Sequence, residues 1–315
     1  MRVELTAAVL ETDAHAEDVV LLLRYFKEGR HEWAIGPLLV DAVKVFVDRH
    51  VPVLAPAYKL LAEQAALRHT AYRTPSDPEP VRLAPDDIKE HVADLRKSAV
   101  VMVEDDATDG GFLKVIARVF DAADVLRAVD RGWLVIDHGG GAGGAFRRAE
   151  EKRKEFARLP RVAVVVDSDR EMPDDPPKHE TKISELRAKN VRVHVLRLRE
   201  IENYIPDKCL YRLPSQQDDP ARVKALARLS KEQRAHFDMK NGFGKRSKVH
   251  PRQHALFGKL DPELRKDLGR GFGPNVIRCL LNHADALTEE DFRRDVGPDV
   301  PGELRAMLAM IREIV

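Results

Sequence analysis

An α/β fold with a mainly parallel sheet is predicted for this chain by three short apolar runs, each bordered by amphipathic stretches and each leading into acid. Ser98–Val103 is followed by Glu104, Arg161–Val166 runs into Asp167, Ser168 and Asp169, and Val191–Leu198 leads to Glu200 and Glu202. Such runs, rich in β-branched residues, read as strands covered on both faces. In an open α/β sheet, ligands gather outside the carboxyl ends of the strands. Glu104, Asp167 and Asp169 therefore stand where chemistry is expected.

Residues 1 to about 73 read as helical, because apolar positions recur at three and four through Asp18–Phe26 and again through Ile35–Val47. The histidines of this part, His15, His31, His50 and His69, have no ligand spacing and read as surface or packing residues. Arg73–Pro80 is dense in proline and turn formers and marks a boundary. Pro85 opens a helix with acids in its first turn, leading into the first run. Beyond Glu104, Thr108 or Asp109 is placed to cap a helix through Phe112, Ile116 and Phe120. Gly132–Asp137 is a further strand, followed by His138 and the glycine-rich stretch Gly139–Gly144, and a charged helix over Phe146–Leu159 returns the chain to Arg161. After a loop at Asp174–Pro177, a short helix over Thr181–Lys189 precedes the last run. Ala221–Arg270 then holds 14 Lys and Arg against 5 Asp and Glu, and Gly271–Pro274 breaks the chain before helices from Val276 and Pro301.

The composition is globular: 315 residues, 43% hydrophobic and 33% charged, with a formal net charge of +1. A near-zero balance gives no global field for nucleic acid, so any such attraction must be local. Two cysteines, Cys209 and Cys279, far apart and outside any Cys-x-x-Cys pattern, argue against a disulfide framework or a zinc site and fit a reducing cytoplasm. No signal peptide and no apolar stretch of spanning length is read, so a cytoplasmic protein without membrane contact is expected.

In extended backbone, residues two apart share a side, so Asp167 and Asp169 would present their carboxylates to one spot while Ser168 faces away. Carboxylates that close repel unless a cation neutralises them, and hard oxygens in an open cluster suit Mg²⁺ or Mn²⁺. A phosphoryl-transfer site follows.

Glu after one strand, a glycine-containing turn after the next and Asp-x-Asp after the third resemble the TOPRIM domain of topoisomerases, primases and nucleases. The likeness is greatest to the nuclease domain of the OLD family and to related TOPRIM effectors of bacterial anti-phage systems. It continues through Leu198–Tyr204 and Asp238–Gly242, covering roughly residues 94–242. The order of motifs is more specific than any one of them. The resemblance implies a TOPRIM domain over 94–210 between a helical N-terminal module (1–93) and a basic helical C-terminal region (211–315). It implies a Mg²⁺ or Mn²⁺ site of Glu104, Asp109, Asp167, Asp169 and Glu202, with Glu104, Asp167, Asp169 and Lys240 carrying catalysis. The family often has a second acid four residues after the first Glu; here that place is Thr108. Which of Asp105, Asp106 and Asp109 assists Glu104 stays open.

The expected function is metal-dependent nuclease action on DNA or RNA. Lys245, Arg246, Lys248 and Arg252 of the basic region would track phosphates, with Phe237 and Phe243 interleaved among the basic residues. OLD-type proteins usually carry an ATPase, but no Gly-x-x-x-x-Gly-Lys-Ser/Thr occurs here, so ATP chemistry would need a separate ATPase subunit. A homo-oligomer is compatible with this reading. An RNA-processing or tRNA-cleaving enzyme would use the same chemistry. A dinucleotide-binding Rossmann protein is the rival from another class: Gly139, Gly141 and Gly144 would cradle a pyrophosphate and Asp167 or Asp169 would hold a ribose hydroxyl. That reading leaves Glu104 and Glu202 without a role. A purely binding TOPRIM module would be expected to have lost acids, and a topoisomerase would need a nucleophilic tyrosine in a motif that none of the five tyrosines provides.

Overall fold

A computed structural model describes residues 1–71, 79–213, 219–244 and 248–315. The chain is α/β, with two separate parallel sheets.

The N-terminal part is not purely helical. Strands β1 (Arg2–Leu5), β2 (Glu32–Trp33) and β3 (Val81–Leu83) pair in parallel in the order β2-β1-β3. They pack with helices α1 (Ala16–Glu28), α2 (Val40–His50), α3 (Ala55–Ala71) and α4 (Ile88–Arg96). The core joins Val3 and Leu5 to Leu22, Leu23, Phe26, Trp33, Val43 and Phe46. Phe26 stacks on Trp33 with ring centroids 5.0 Å apart. These strands escape a periodicity reading because each spans only two to four residues. Their ladder partners lie about thirty and eighty residues away, whereas a strand is recognisable alone only over about four to eight residues.

The second sheet carries the predicted strands: β4 (Ala99–Val103), β5 (Leu134–His138), β6 (Val162–Val166) and β7 (Arg192–Val195), all parallel, in the order β5-β4-β6-β7. Every residue of central β4 and β6 is buried, as expected of strands covered on both faces. Alternate residues divide between two cores. Ala99, Val101, Val103, Ala163 and Val165 face α5 (Gly111–Val119), α6 (Ala123–Asp130) and the C-terminal helix Val300–Ile314. Val100, Met102, Val162, Val164 and Val166 face α7 (Ala142–Arg153) and α8 (Glu180–Ala188). Short helices at Asp207–Leu210, Asp219–Ala227, Lys231–His236, His254–Phe257, Pro262–Asp267 and Ile277–Asn282, with the described segments between them, extend the first of these two cores, which takes in Phe237, Met239, Phe257 and Leu280.

Buried polar groups tie these parts together. The Arg161 guanidinium donates to the carbonyls of Leu95, Lys97, Ile314 and Val315. The fully buried Asp94 carboxylate accepts the N–H groups of Ala157, Arg158 and Leu159 and the Lys97 ammonium. Each satisfies hydrogen-bonding groups that burial would otherwise leave unpaired. Among the described residues, no helix is long and apolar enough to cross a membrane.

Candidate functional site

The chain leaves β4 for β5 on one side and later crosses to β6 on the other, so the order reverses between β4 and β6. Ligand crevices in open α/β sheets form at such a reversal, beyond the carboxyl ends of the strands. Glu104 follows β4 and Asp167 follows β6. An open pocket of about 280 Å³ lies there, lined by Glu104, Asp105, Thr108 and Asp109, by Gly140 and Gly141, and by Asp167, Ile201, Glu202 and Lys240.

The loop after β4 brings Asp105 and Asp109, but not Asp106, to the pocket lining beside Glu104. The Asp105 side chain accepts the Thr108 N–H at 2.9 Å and so caps a tight turn over Asp106–Gly110 ahead of α5. The cap is thus Asp105, not Thr108 or Asp109. That turn brings Asp109 back, where its Oδ2 accepts the Asp105 N–H at 2.8 Å. Asp109 lies within electrostatic reach of Glu104, Glu202 and Asp167.

The Asp-x-Asp segment departs from the extended geometry expected of it. Strand β6 stops at Val166, and Asp169 has a φ of 52°. Asp167 stays at the pocket, its Oδ1 accepting the Ile201 N–H at 3.0 Å. Ser168 is buried and donates to the Leu198 carbonyl at 2.8 Å. Asp169 turns out of the pocket lining to pair with Lys178 at 2.9 Å, while its charge still reaches Glu104. The two aspartates therefore do not address one spot.

The segment after β7 adds a linked pair of glutamates. Glu200 caps the turn Ile201–Tyr204 reciprocally with Asn203, whose amide donates to the carbonyls of Arg234 and Phe237. Lys240 bridges both acids, 2.9 Å from Glu200 and 3.2 Å from Glu202. Taken alone in the sequence, Glu200 reads as an ordinary loop charge; in the structure it also lies 3.2 Å from Arg199.

The electrostatics are one-sided. Burial pushes the Asp109 carboxyl up to about 6, helped by the charges of Glu104, Glu202 and Asp105. Burial, then Asp109, Glu104 and Glu202, holds Asp167 well above the carboxylate range. Glu104 is raised by burial and Asp169, although the amides of Asp167 and Ala142 bond to it. Glu202 is raised by burial despite Lys240. Burial opposes the charge of Lys240, but Glu200 and Glu202 outweigh it and raise the ammonium. A carboxyl raised on folding is destabilising above its folded pKa, and that penalty disappears below its unfolded pKa. Asp109→Asn keeps an oxygen acceptor for the Asp105 N–H. In chelator, it should stabilise the protein by about 1–3 kcal/mol at neutral pH, with the gain shrinking between about pH 6 and 4, as denaturant melts at both pH values would show.

The glycine stretch serves the same site. The Gly140 and Gly141 N–H groups both donate to the Glu104 carbonyl at 3.1 Å, and that of Gly139 donates to Val103 at 3.1 Å. A Cβ on Gly139 would lie 1.9 Å from the Ala145 nitrogen, and one on Gly144 would lie 2.0 Å from the Gly139 oxygen. Close approach of the loop to α7 explains the glycines there. The amides of Gly139–Gly141 are already engaged by β4 and its extension, against the pyrophosphate cradle of the dinucleotide reading.

Of the residues expected to track phosphates, Lys245 and Arg246 lie outside the described residues, and Lys248 is exposed. Arg252 is paired with Asp175 at 3.1 Å and Glu171 at 3.7 Å, so it is less available than its place in the basic region suggests.

No family model, curated protein or solved structure matches this chain.

The donor set fits a hard divalent cation: acidic oxygens, raised together by burial and mutual repulsion, with Glu202 Oε2 buried and lacking a hydrogen-bond partner. Among the described residues, no three His, Cys, Asp or Glu side chains are already disposed to hold an ion jointly. An ion of this kind keeps several waters and commonly takes only one or two carboxylates directly.

Proposed function

We propose that this protein is a metal-dependent nuclease of TOPRIM type that hydrolyses nucleic-acid phosphodiester bonds. The observation that carries the reading is the gathering of Glu104, Asp109, Asp167 and Glu202 with one ammonium, Lys240, at the strand-order reversal. Four acids raised together form a site in need of positive charge, and a Mg²⁺ or Mn²⁺ ion taken directly by one or two of them, with the others reached through its waters, would supply it along with Lewis-acid polarisation of a phosphoryl oxygen. Asp169, paired with Lys178, acts on Glu104 through its charge.

The chain's own contribution is orientation. The Asp167 and Ala142 amides fix Glu104, the Ile201 amide fixes Asp167, and the Asp105 amide fixes Asp109. Such support holds ligating oxygens in place without reorganisation. Lys240, half-buried at the pocket wall, meets negative charge as it grows on the scissile phosphate. The TOPRIM assignment, a role in anti-phage defence and the separate ATPase rest on the resemblance of Glu104, Asp167–Asp169, Leu198–Tyr204 and Asp238–Gly242 to that family.

The test is cleavage of labelled single- and double-stranded DNA and RNA with Mg²⁺, Mn²⁺ or chelator, beside thermal melts under the same conditions. The expected result is cleavage only with metal and a metal-dependent rise in Tm, since an ion that binds the folded state selectively stabilises it. Metal-independent melting with no cleavage of any substrate would sink the proposal.

A further inference from the structure

A second pocket, of about 610 Å³, lies in the C-terminal region outside the acidic site. Arg212, Arg222, Arg270 and Arg278 line it together with Asn275, Asn282 and His283, and among the described residues no Asp or Glu contributes to its wall. Arg212, Arg270 and Arg278 are exposed and form no ion pair with a described residue. Arg222 is buried, with its guanidinium 5.7 Å from the centre of the Phe272 ring. The three exposed guanidinium groups around one concavity repel one another, and planar forks of this kind match phosphate oxygens. The volume suits a nucleotide-sized ligand, and Phe272 adds an aromatic wall where a base could stack.

The pocket is joined to the acidic site through the backbone. Phe272 donates its N–H to Met239 at 2.7 Å and Gly273 donates to the Lys240 carbonyl at 3.0 Å. A Cβ on Gly271 would lie 2.5 Å from the Lys240 carbonyl oxygen. The Gly271–Gly273 wall therefore lies directly behind the residue whose ammonium faces the acids. On the α5 side, Gly111 meets Leu281, next to Asn282 of the pocket.

We propose that the arginine pocket binds a phosphate-bearing nucleotide unit of the strand whose scissile bond reaches the acidic pocket. It rests on the nuclease reading for the position of that strand. It places the flanking contact on Arg212, Arg270 and Arg278 rather than on Lys248 and Arg252.

The test is fluorescence anisotropy of a labelled single strand, DNA and RNA in parallel, with Ca²⁺ in place of Mg²⁺ and over a salt series. The protein is compared as wild type, as Arg270→Gln/Arg278→Gln, and as the control Arg127→Gln/Arg131→Gln, which removes the same charge from exposed positions on and beside α6. The pocket variant should bind at least about tenfold more weakly, with the slope of log affinity against log salt reduced by about 0.7 for each lost contact. The control should stay within about twofold, since its charges lie off the strand's path. Unchanged affinity in the pocket variant, an equal loss in the control, or no strand binding by wild type would each overturn the proposal. So would arginine-dependent binding of AMP, ATP or inorganic phosphate alongside arginine-independent strand binding, which would make this a free-nucleotide site. Cleavage in Mg²⁺ is scored separately: arginine-dependent binding without cleavage sinks the nuclease reading alone, and cleavage with arginine-independent affinity sinks this one alone.

Discussion

Glu104→Gln is expected to abolish metal-supported cleavage, with a loss of at least about 10³-fold in kcat, because the variant removes charge from the electrostatic centre of the reaction. Glutamine keeps the shape and an acceptor oxygen for the Ala142 and Asp167 amides, so the fold at the end of β4 should be retained. Without metal the variant should be at least as stable as wild type at neutral pH. The Glu104 carboxyl is raised by burial and by Asp169, so its ionised form is destabilising there. That advantage should shrink as the pH falls through the raised value of the folded protein and be gone below the ordinary carboxylate value, where the acid is protonated in folded and unfolded chains alike. Asp167→Asn should behave the same way and should also lose the metal-dependent rise in Tm. A Glu104→Gln protein that cleaves at the wild-type rate would remove the acidic pocket from the chemistry.

Lys240→Ala should lower cleavage by about 10²–10³-fold, the usual effect of removing one group that stabilises transition-state charge. Strand affinity in Ca²⁺ should change much less, because that charge develops mainly in the transition state. The structure adds a consequence for stability. Lys240 is the shared partner of Glu200 and Glu202, so its removal leaves Glu202 buried without its cation and facing Glu200, which keeps Arg199. Breaking a buried ion pair costs about 3–5 kcal/mol, but the lysine side chain is 33% exposed and solvent screening reduces this to about 1–3 kcal/mol. Adding Glu202→Gln should recover much of that stability without recovering cleavage. Melting curves and single-turnover cleavage of the single and double variants separate the two roles. Normal cleavage by Lys240→Ala would show that the lysine serves structure alone.

The central strands were legible because β4 and β6 are buried on both faces, and burial on both faces writes an unbroken apolar run into the sequence. The acids at their ends were legible for the same reason, since a strand's end fixes where the next residue emerges. The geometry beyond those ends was not. An alternation rule holds only while the backbone stays extended, and Asp169 leaves that region two residues after Asp167. The three strands of the first sheet were hidden by length: Glu32–Trp33 spans less than one alternation that could be told from chance.

The sequence by itself determined an α/β chain with a parallel sheet, acids at its carboxyl edge, glycines before α7 and a basic segment after the sheet. These are local properties, in which burial, backbone freedom and charge act on adjacent residues. Only the tertiary structure decided that Asp109 and not Asp106 lines the acidic pocket, that Gly140 and Gly141 bond to Glu104, and that Lys240 couples Glu200 to Glu202. It also brought Cys209 and Cys279, both free and buried, into hydrogen-bonding contact, and Arg212 and Arg278 to one pocket. Apart from the Asp105–Asp109 turn, each of these depends on closing loops of tens of residues whose ends carry no periodic signal, and chain-closure entropy varies too slowly with length to select one partner over another. Packing of the two cores against the sheet makes that selection.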